Sequence, residues 1–388
     1  MLRQFFQRPI GLSITIFVVA SCVTASACLW DRDTLEMERQ RFPTTLELIA
    51  GKFLRHSEAF YLWRIKDRES KLERESRPEW FDDLAVAYEK TGDAKKAIDL
   101  MREKNLLFPG LYETHANLGT FLIHSGDFRL GLAEIEKALE INPSAHFGRE
   151  EYQHQLVLYL LDCDAEVGLQ LPLSEQRPNG FEPIGFASFL FGDEPGEVSA
   201  EERKQVLGSA LKGVLGMMKF GNFDSPILLE ALGDLLVSSG LEADAKQLAA
   251  RAYLKASYEV EDPVAKEKYR GKADSCLEFQ TGNRGGSTRI ELSELESQFS
   301  LELEDGSNWY AQIVKDEEAW VSEGANPEMK FDQKYYDQTP QIEVASSRVS
   351  ISQTGSRLTG SNRLTALLSF AAILVVPAWF IYRKIRRV

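Results

Sequence analysis

Three side chains at helical spacing are the first candidates for chemistry. His146, Glu150 and His154 stand at i, i+4 and i+8, which brings two imidazoles and a carboxylate near one helix face. A metal bound there would need a further ligand and a fixed outer shell, so the spacing is read as a solvated face. His115 and His124 lie nine residues apart, on different faces of one helix. The sequence contains no GxGxxG after a strand, no GxxxxGK(S/T), no HExxH and no GxSxG. Alternation of strand type is scarce, which argues against an α/β catalytic core. No enzyme, metal or cofactor is expected.

Four cysteines are too few for a disulfide framework in 388 residues. Cys163 and Cys276 read as two separate small buried side chains, with a single disulfide between them open if the body is exported. Cys22 has another candidate role. Val19-Ala20-Ser21-Cys22 resembles the lipobox in which a cysteine becomes the lipidated first residue.

The charge distribution points the same way. Formal net charge is -14, yet both ends are cationic. Arg3 and Arg8 precede an apolar run from Ile10 to Val19, and Ala25-Ser26-Ala27 offers a cleavage pattern. Residues 1–29 therefore read as a cleaved signal peptide, a lipoprotein signal or a retained membrane helix. Residues 364–382 form an uncharged apolar stretch of spanning length. Arg383, Lys384, Arg386 and Arg387 follow, and by the positive-inside rule residues 383–388 are a cytoplasmic tail. The expected location is the cell membrane, with the body on the extracytoplasmic (periplasmic) side. Six of the 45 basic residues sit at the two ends, which leaves 39 against 59 acidic ones in the body. Such a body is a poor match to a phosphate backbone, so nucleic acid is not an expected partner.

The elements that would position any site come from an internal repeat. Residues 78–111 align on 112–145 with a period of 34. Leu84 falls on Leu118, Ala85 on Gly119, Gly92-Asp93 on Gly126-Asp127, Ala97 on Gly131, Met101 on Ile135 and Pro109 on Pro143. Each unit reads as helix, Gly-Asp turn, helix and proline breaker. The small residues allow close helix approach and the large apolar ones fill the seam. A weaker copy spans 226–259 through Leu232-Gly233, Leu236, Gly240, Ala245, Ala249 and Ala252.

This period and pattern resemble the tetratricopeptide repeat, with departures at Lys104 and His115. The resemblance implies an all-α fold, an α-solenoid of tetratricopeptide-like helix pairs. It also implies a concave groove lined by the first helix of each pair. Carried over by position, that groove would hold Glu79, Asp82, Val86, Glu89 and Lys90 from the first copy. The second would contribute Glu113, Ala116, Asn117, Thr120, Ile123 and His124. Family members that clamp a carboxylate use Lys and Asn, but Asp82 and Val86 occupy two of those positions and only Asn117 agrees. An acidic lining suits a basic or amphipathic protein or peptide.

Around the repeats, residues 31–77 are expected to form capping helices, with helical periodicity from Thr44 to Leu72. Residues 146–225 read as a helical and irregular connector. It includes an amphipathic helix from Ser199 to Phe220 and a Phe- and Pro-rich stretch at 171–198 that covers an edge. Residues 226–280 form the third pair. Residues 281–363 read as an acidic, polar and flexible stalk, because they carry little apolar surface. The function expected is a membrane-tethered scaffold or adaptor. The alternative is an accessory or catalytic factor of envelope biogenesis or protein maturation, acting through residues 150–225.

Overall fold

A computed structural model describes residues 29–336, apart from 39, 144–147, 165–168, 181, 193–197, 240–243 and 279–289. Regular structure among the described residues is helical, with no strand, so the all-α expectation holds. The segments expected at 1–28 and 364–388, with Cys22 and the basic tail, lie outside the described residues. Among the described residues no helix is long and apolar enough to cross a membrane.

Residues 78–141 fold as two antiparallel pairs, α4 (Pro78–Lys90) with α5 (Ala94–Leu107) and α6 (Tyr112–His124) with α7 (Phe128–Ile141). Pro78 opens α4 in its first turn, where its missing N–H would be unpaired anyway. The two inner turns are alike. Gly92 and Gly126 take φ of +86° and +88°, and Asp93 and Asp127 each donate a backbone N–H, at 2.8 Å, to the carbonyl five residues back. This closure needs a left-handed residue, which glycine adopts without cost from a Cβ. Small residues bring the second pair close: a Cβ on Gly119 would lie 2.9 Å from the carbonyl oxygen of Gly131, and one on Gly131 would lie 2.8 Å from that of Gly119. In the third pair, α11 (Pro226–Ser239) and α12 (Ala245–Glu259), Tyr253 takes that space against Gly233.

Successive helices pack on one another. Helix α3 (Glu58–Leu72) lies on α4, and α7 leads through α8 (Arg149–Asp164) and α10 (Ala200–Phe220) to α11, α12 and α13 (Pro263–Glu278). The amphipathic helix expected from Ser199 to Phe220 forms, with Ser199 as its cap, accepting from the Glu202 backbone N–H at 3.2 Å. The capping region differs from expectation. Thr44–Leu72 breaks after a five-residue α2 (Thr45–Ile49), which packs on α10 and α12 instead of on the first pair. Gly51, at φ +72°, makes the break. Cys163 and Cys276 are free thiols.

The stalk expectation is corrected between residues 291 and 336. Leu292–Ser322 forms α14, a 31-residue helix about 46 Å long at 1.5 Å per residue. It packs on α12 and α13 through its first half and on α3 through its second. Its buried residues are Leu295, Phe299, Gly306, Ile313 and Glu317, a narrow stripe on an otherwise polar helix. Ion pairs Arg251–Glu302 (2.7 Å) and Arg270–Glu296 (2.7 Å) fasten the first half. A short helix α15 (Pro327–Phe331) and a π turn at Asp332–Tyr336 complete this face. Gly306 is where α14 crosses the end of α2, since a Cβ there would lie 2.2 Å from the carbonyl oxygen of Ala50.

Adding that methyl forces backbone apart instead of a side-chain tip. Gly306→Ala is expected to cost about 1–3 kcal/mol despite the better helix propensity of alanine. A thermal melt of the variant checks this: an unchanged or raised midpoint means that α14 does not lie on Ala50.

Candidate functional site

The inner face of α4 and α6 is where the sequence places a groove, and most of its predicted residues are buried. Asp82, Val86, Ala116, Asn117, Thr120, Ile123 and His124 are covered, Glu89, Lys90 and Glu113 are half-buried, and Glu79 is exposed. The cover is the chain's own N-terminal segment, residues 29–38, including α1 (Arg32–Glu38). Leu29 packs among Phe81, Ala85 and Val86, and Trp30 sits edge-on to Tyr112 at 5.9 Å. Asn117 holds the intervening main chain at two points. Its Oδ1 accepts from Trp30 N–H at 2.8 Å and its Nδ2 donates to Trp30 C=O at 2.9 Å. Asp83 accepts the next-but-one N–H, that of Arg32, at 3.0 Å. This is recognition of backbone, blind to side-chain type.

The expectation that Asp82 and its neighbours form an open acidic lining is therefore corrected. Asp82 accepts Lys104 Nζ on both oxygens, at 2.7 and 2.6 Å, and also Asn117 Nδ2 at 3.1 Å. Burial pushes the Asp82 carboxyl up to about 7 against the pull of Lys104. Lys104, a departure from the repeat pattern, is thus answered by Asp82. His124 binds Glu89 at 2.6 Å, His115 binds Glu134 at 2.7 Å, and Lys90 donates to the Gly221 carbonyl at 2.6 Å. Thr120 accepts from Gln153 at 3.1 Å, and Ile123 belongs to the main apolar core.

A buried charge network locks the segment down. Arg64 of α3 is fully buried and reaches Asp31 (3.1 Å), Asp33 (2.6 Å) and Glu328 of α15 (3.0 Å). Arg68 binds Asp83 (2.8 Å) and Glu328 (2.6 Å). His56 stands between Asp33 (3.2 Å) and Glu317 of α14 (2.5 Å), stacked on Phe60. Burial disfavours the charged imidazole, but the two carboxylates prevail and raise His56 to about 9. Burial and the neighbouring Asp33 raise Asp31 to about 6. Sequence reasoning missed His56, Arg64, Glu317 and Glu328, since the links from His56 to Glu317 and from Arg64 to Glu328 span about 260 residues of chain.

The third pair repeats the arrangement. Glu230 and Asp234 of α11 occupy the repeat positions of Asp82 and Val86. Glu230 accepts Leu173 N–H (2.8 Å) and Ser174 N–H (3.1 Å), and Asp234 accepts Phe186 N–H (3.1 Å). Lys272, Tyr269 and Tyr253 complete their hydrogen bonds. The Phe-rich connector is thus bound in cis, with Phe186 buried on α11 and short helix α9 (Gly185–Phe189) beside it.

His146 of the spaced trio lies outside the described residues, Glu150 is buried, and His154 meets Glu136 at 3.2 Å. Among the described residues no group of three His, Cys, Asp or Glu is placed to hold a metal ion. Comparison with protein-family models and with curated proteins finds no match.

Two outcomes are expected. Asp82→Leu leaves the Lys104 ammonium buried without a counter-charge, a loss of about 3–5 kcal/mol, whereas Asp82→Leu with Lys104→Met restores most of it. Equal denaturant midpoints for the single and double variants would contradict the pairing. The second outcome concerns pH. Because His56 is held above its ordinary 6.5, its contribution is complete below about 6.5 and is lost as pH rises through about 9. The melting-temperature gap between wild type and His56→Gln should therefore shrink from pH 6 to pH 10. A gap constant across that range would mean that His56 carries no charge in the fold.

Proposed function

We propose that the chain is a membrane-tethered, extracytoplasmic adaptor, an α-solenoid of tetratricopeptide-like helix pairs that binds a protein partner and performs no catalysis. The observation that carries this reading is the two-point clamp of Asn117 on the Trp30 main chain. A side-chain amide that pairs with both N–H and C=O of one residue holds extended polypeptide of any sequence. That is the task of a peptide-binding repeat face. The 34-residue offset, the matching Gly-Asp turns and the sequential packing of helices support the tetratricopeptide assignment.

Residues 29–38 already occupy the inner part of the groove, so a partner meets its rim. Glu79 and Glu113 stand at the same repeat position in the first turns of α4 and α6, and they offer an acidic edge to a basic or amphipathic segment. The apolar stretches at 1–29 and 364–382, with their cationic flanks, support tethering to the membrane.

Both halves of the proposal can be tested in native membranes. Alkaline phosphatase fused after residue 345 should be active, and fused after Val388 inactive. A photo-crosslinking residue at Glu79 or Glu113 should capture a discrete partner, while one at Lys95 or Asp99, on the exposed face of α5, should not. An inactive reporter at 345 would overturn the topology. Adducts from α5 alone would move binding off the groove.

A further inference from the structure

A cavity of about 430 Å³ lies where the N-terminal segment, the end of α4, the start of α3 and the loop after α10 meet. Beside His56, which is held by Asp33 and Glu317, three cations line it: Arg55, Lys90 and Lys219. None has a carboxylate oxygen within 4 Å among the described residues, although ion pairs are abundant elsewhere in the body. Each is satisfied by neutral groups. Lys219 is 7% exposed and donates to the Met37 carbonyl at 2.9 Å. Lys90 donates to the Gly221 carbonyl, two residues beyond Lys219. Arg55 donates to the carbonyls of Gly51 (2.6 Å) and Phe53 (3.3 Å). Its guanidinium lies 4.6 Å from the Phe223 ring centre and 3.5 Å from that of Tyr310. The loop Gly221–Phe223 thus contacts Lys90 and Arg55 and follows directly on Lys219 in the chain.

The acidic residues on the same wall are engaged. Asp31 and Asp33 are held by Arg64 and His56, and Glu89 by His124, while Glu58 is exposed. Desolvation without a counter-ion costs several kcal/mol per charge. It lowers Lys90 and Lys219 to about 8, and the Arg55 charge contributes to the fall at Lys90. An arriving anion would supply the missing charge, in a space that suits a small molecule.

We propose that this cavity binds a small oxyanion-bearing molecule, its phosphate or carboxylate group taken by Arg55, Lys90 and Lys219 and its apolar part laid against Phe223 and Tyr310. The shared chemistry is an oxyanion on a partly apolar body. The test is calorimetric titration of the full chain with inorganic phosphate and with benzoate, at ionic strength matched by chloride. One saturable site is expected, with a Kd of about 1 mM or tighter for at least one probe. Tighter binding of phosphate assigns the phosphate form, and tighter binding of benzoate the carboxylate form. Lys219→Met and Lys90→Met each remove a cation that is hydrogen-bonded to a carbonyl and to no carboxylate, so both variants should melt close to wild type while binding at least ten-fold more weakly. Absence of saturable binding by both probes, or undiminished binding by both variants, overturns the proposal.

Discussion

Arg64 is fully buried, and its guanidinium joins three separate parts of the chain. It sits on α3, reaches Asp31 and Asp33 in the N-terminal segment, and meets Glu328 beyond α14. Arg68, one turn on, ties the same Glu328 to Asp83 of α4. A guanidinium can do this because its planar fork offers five donors in fixed directions. Withdrawing it would leave Asp31 inside the protein without a counter-charge and would weaken the compensation of Asp33 and Glu328, which keep His56 and Arg68. The penalty for a buried charge that loses its partner exceeds the net worth of the pair itself. Residues 29–38 and 327–336 hold their places through this network, and so does the closed state of the inner face.

That constraint changes what the repeat face can do. Helix pairs of this kind present the first helix of each pair inward, and both inward faces here are occupied by the chain itself. Asn117 and Asp83 take the main chain of residues 30–32, and Glu230 and Asp234 take that of residues 173–186. The two places share a buried carboxylate balanced by a lysine, Asp82 with Lys104 and Glu230 with Lys272, but differ in who holds the main chain. In the first the backbone N–H groups go to Asn117 and Asp83, and Asp82 steadies Asn117; in the second Glu230 accepts them itself. Under the proposed adaptor role, the rim of the first two pairs is the part of this face left open to a partner.

The repeat is legible in the sequence because its determinants are local. A left-handed glycine, a proline breaker and small residues at a helix crossing act within about twenty residues, so their spacing survives as a pattern. Helix α14 is not legible in that way. Its buried stripe is Leu295, Phe299, Gly306, Ile313 and Glu317, and the remaining positions are polar enough to read as a stalk. Its partners, Ala50, His56, Arg251 and Arg270, lie far back in the chain. The groove residues were placed on the right helices, but their exposure depends on a segment that sequence periodicity cannot dock. One clue was present. Lys104 breaks the repeat pattern with a cation where a small residue is expected, and a buried lysine calls for a carboxylate partner, which Asp82 supplies from 22 residues back.

The central claim is that the chain's own N-terminal segment closes the inner face as part of the fold. Native-state hydrogen exchange of the full chain tests it most directly, at the amides of Trp30 and Arg32, which donate to the side chains of Asn117 and Asp83. If the segment is locked by the buried network, these amides exchange only through the opening that releases the α6 core, with the same denaturant dependence. Exchange at the rate of a frayed terminus, while Phe121 and Leu122 stay protected, would contradict the claim and leave the groove open.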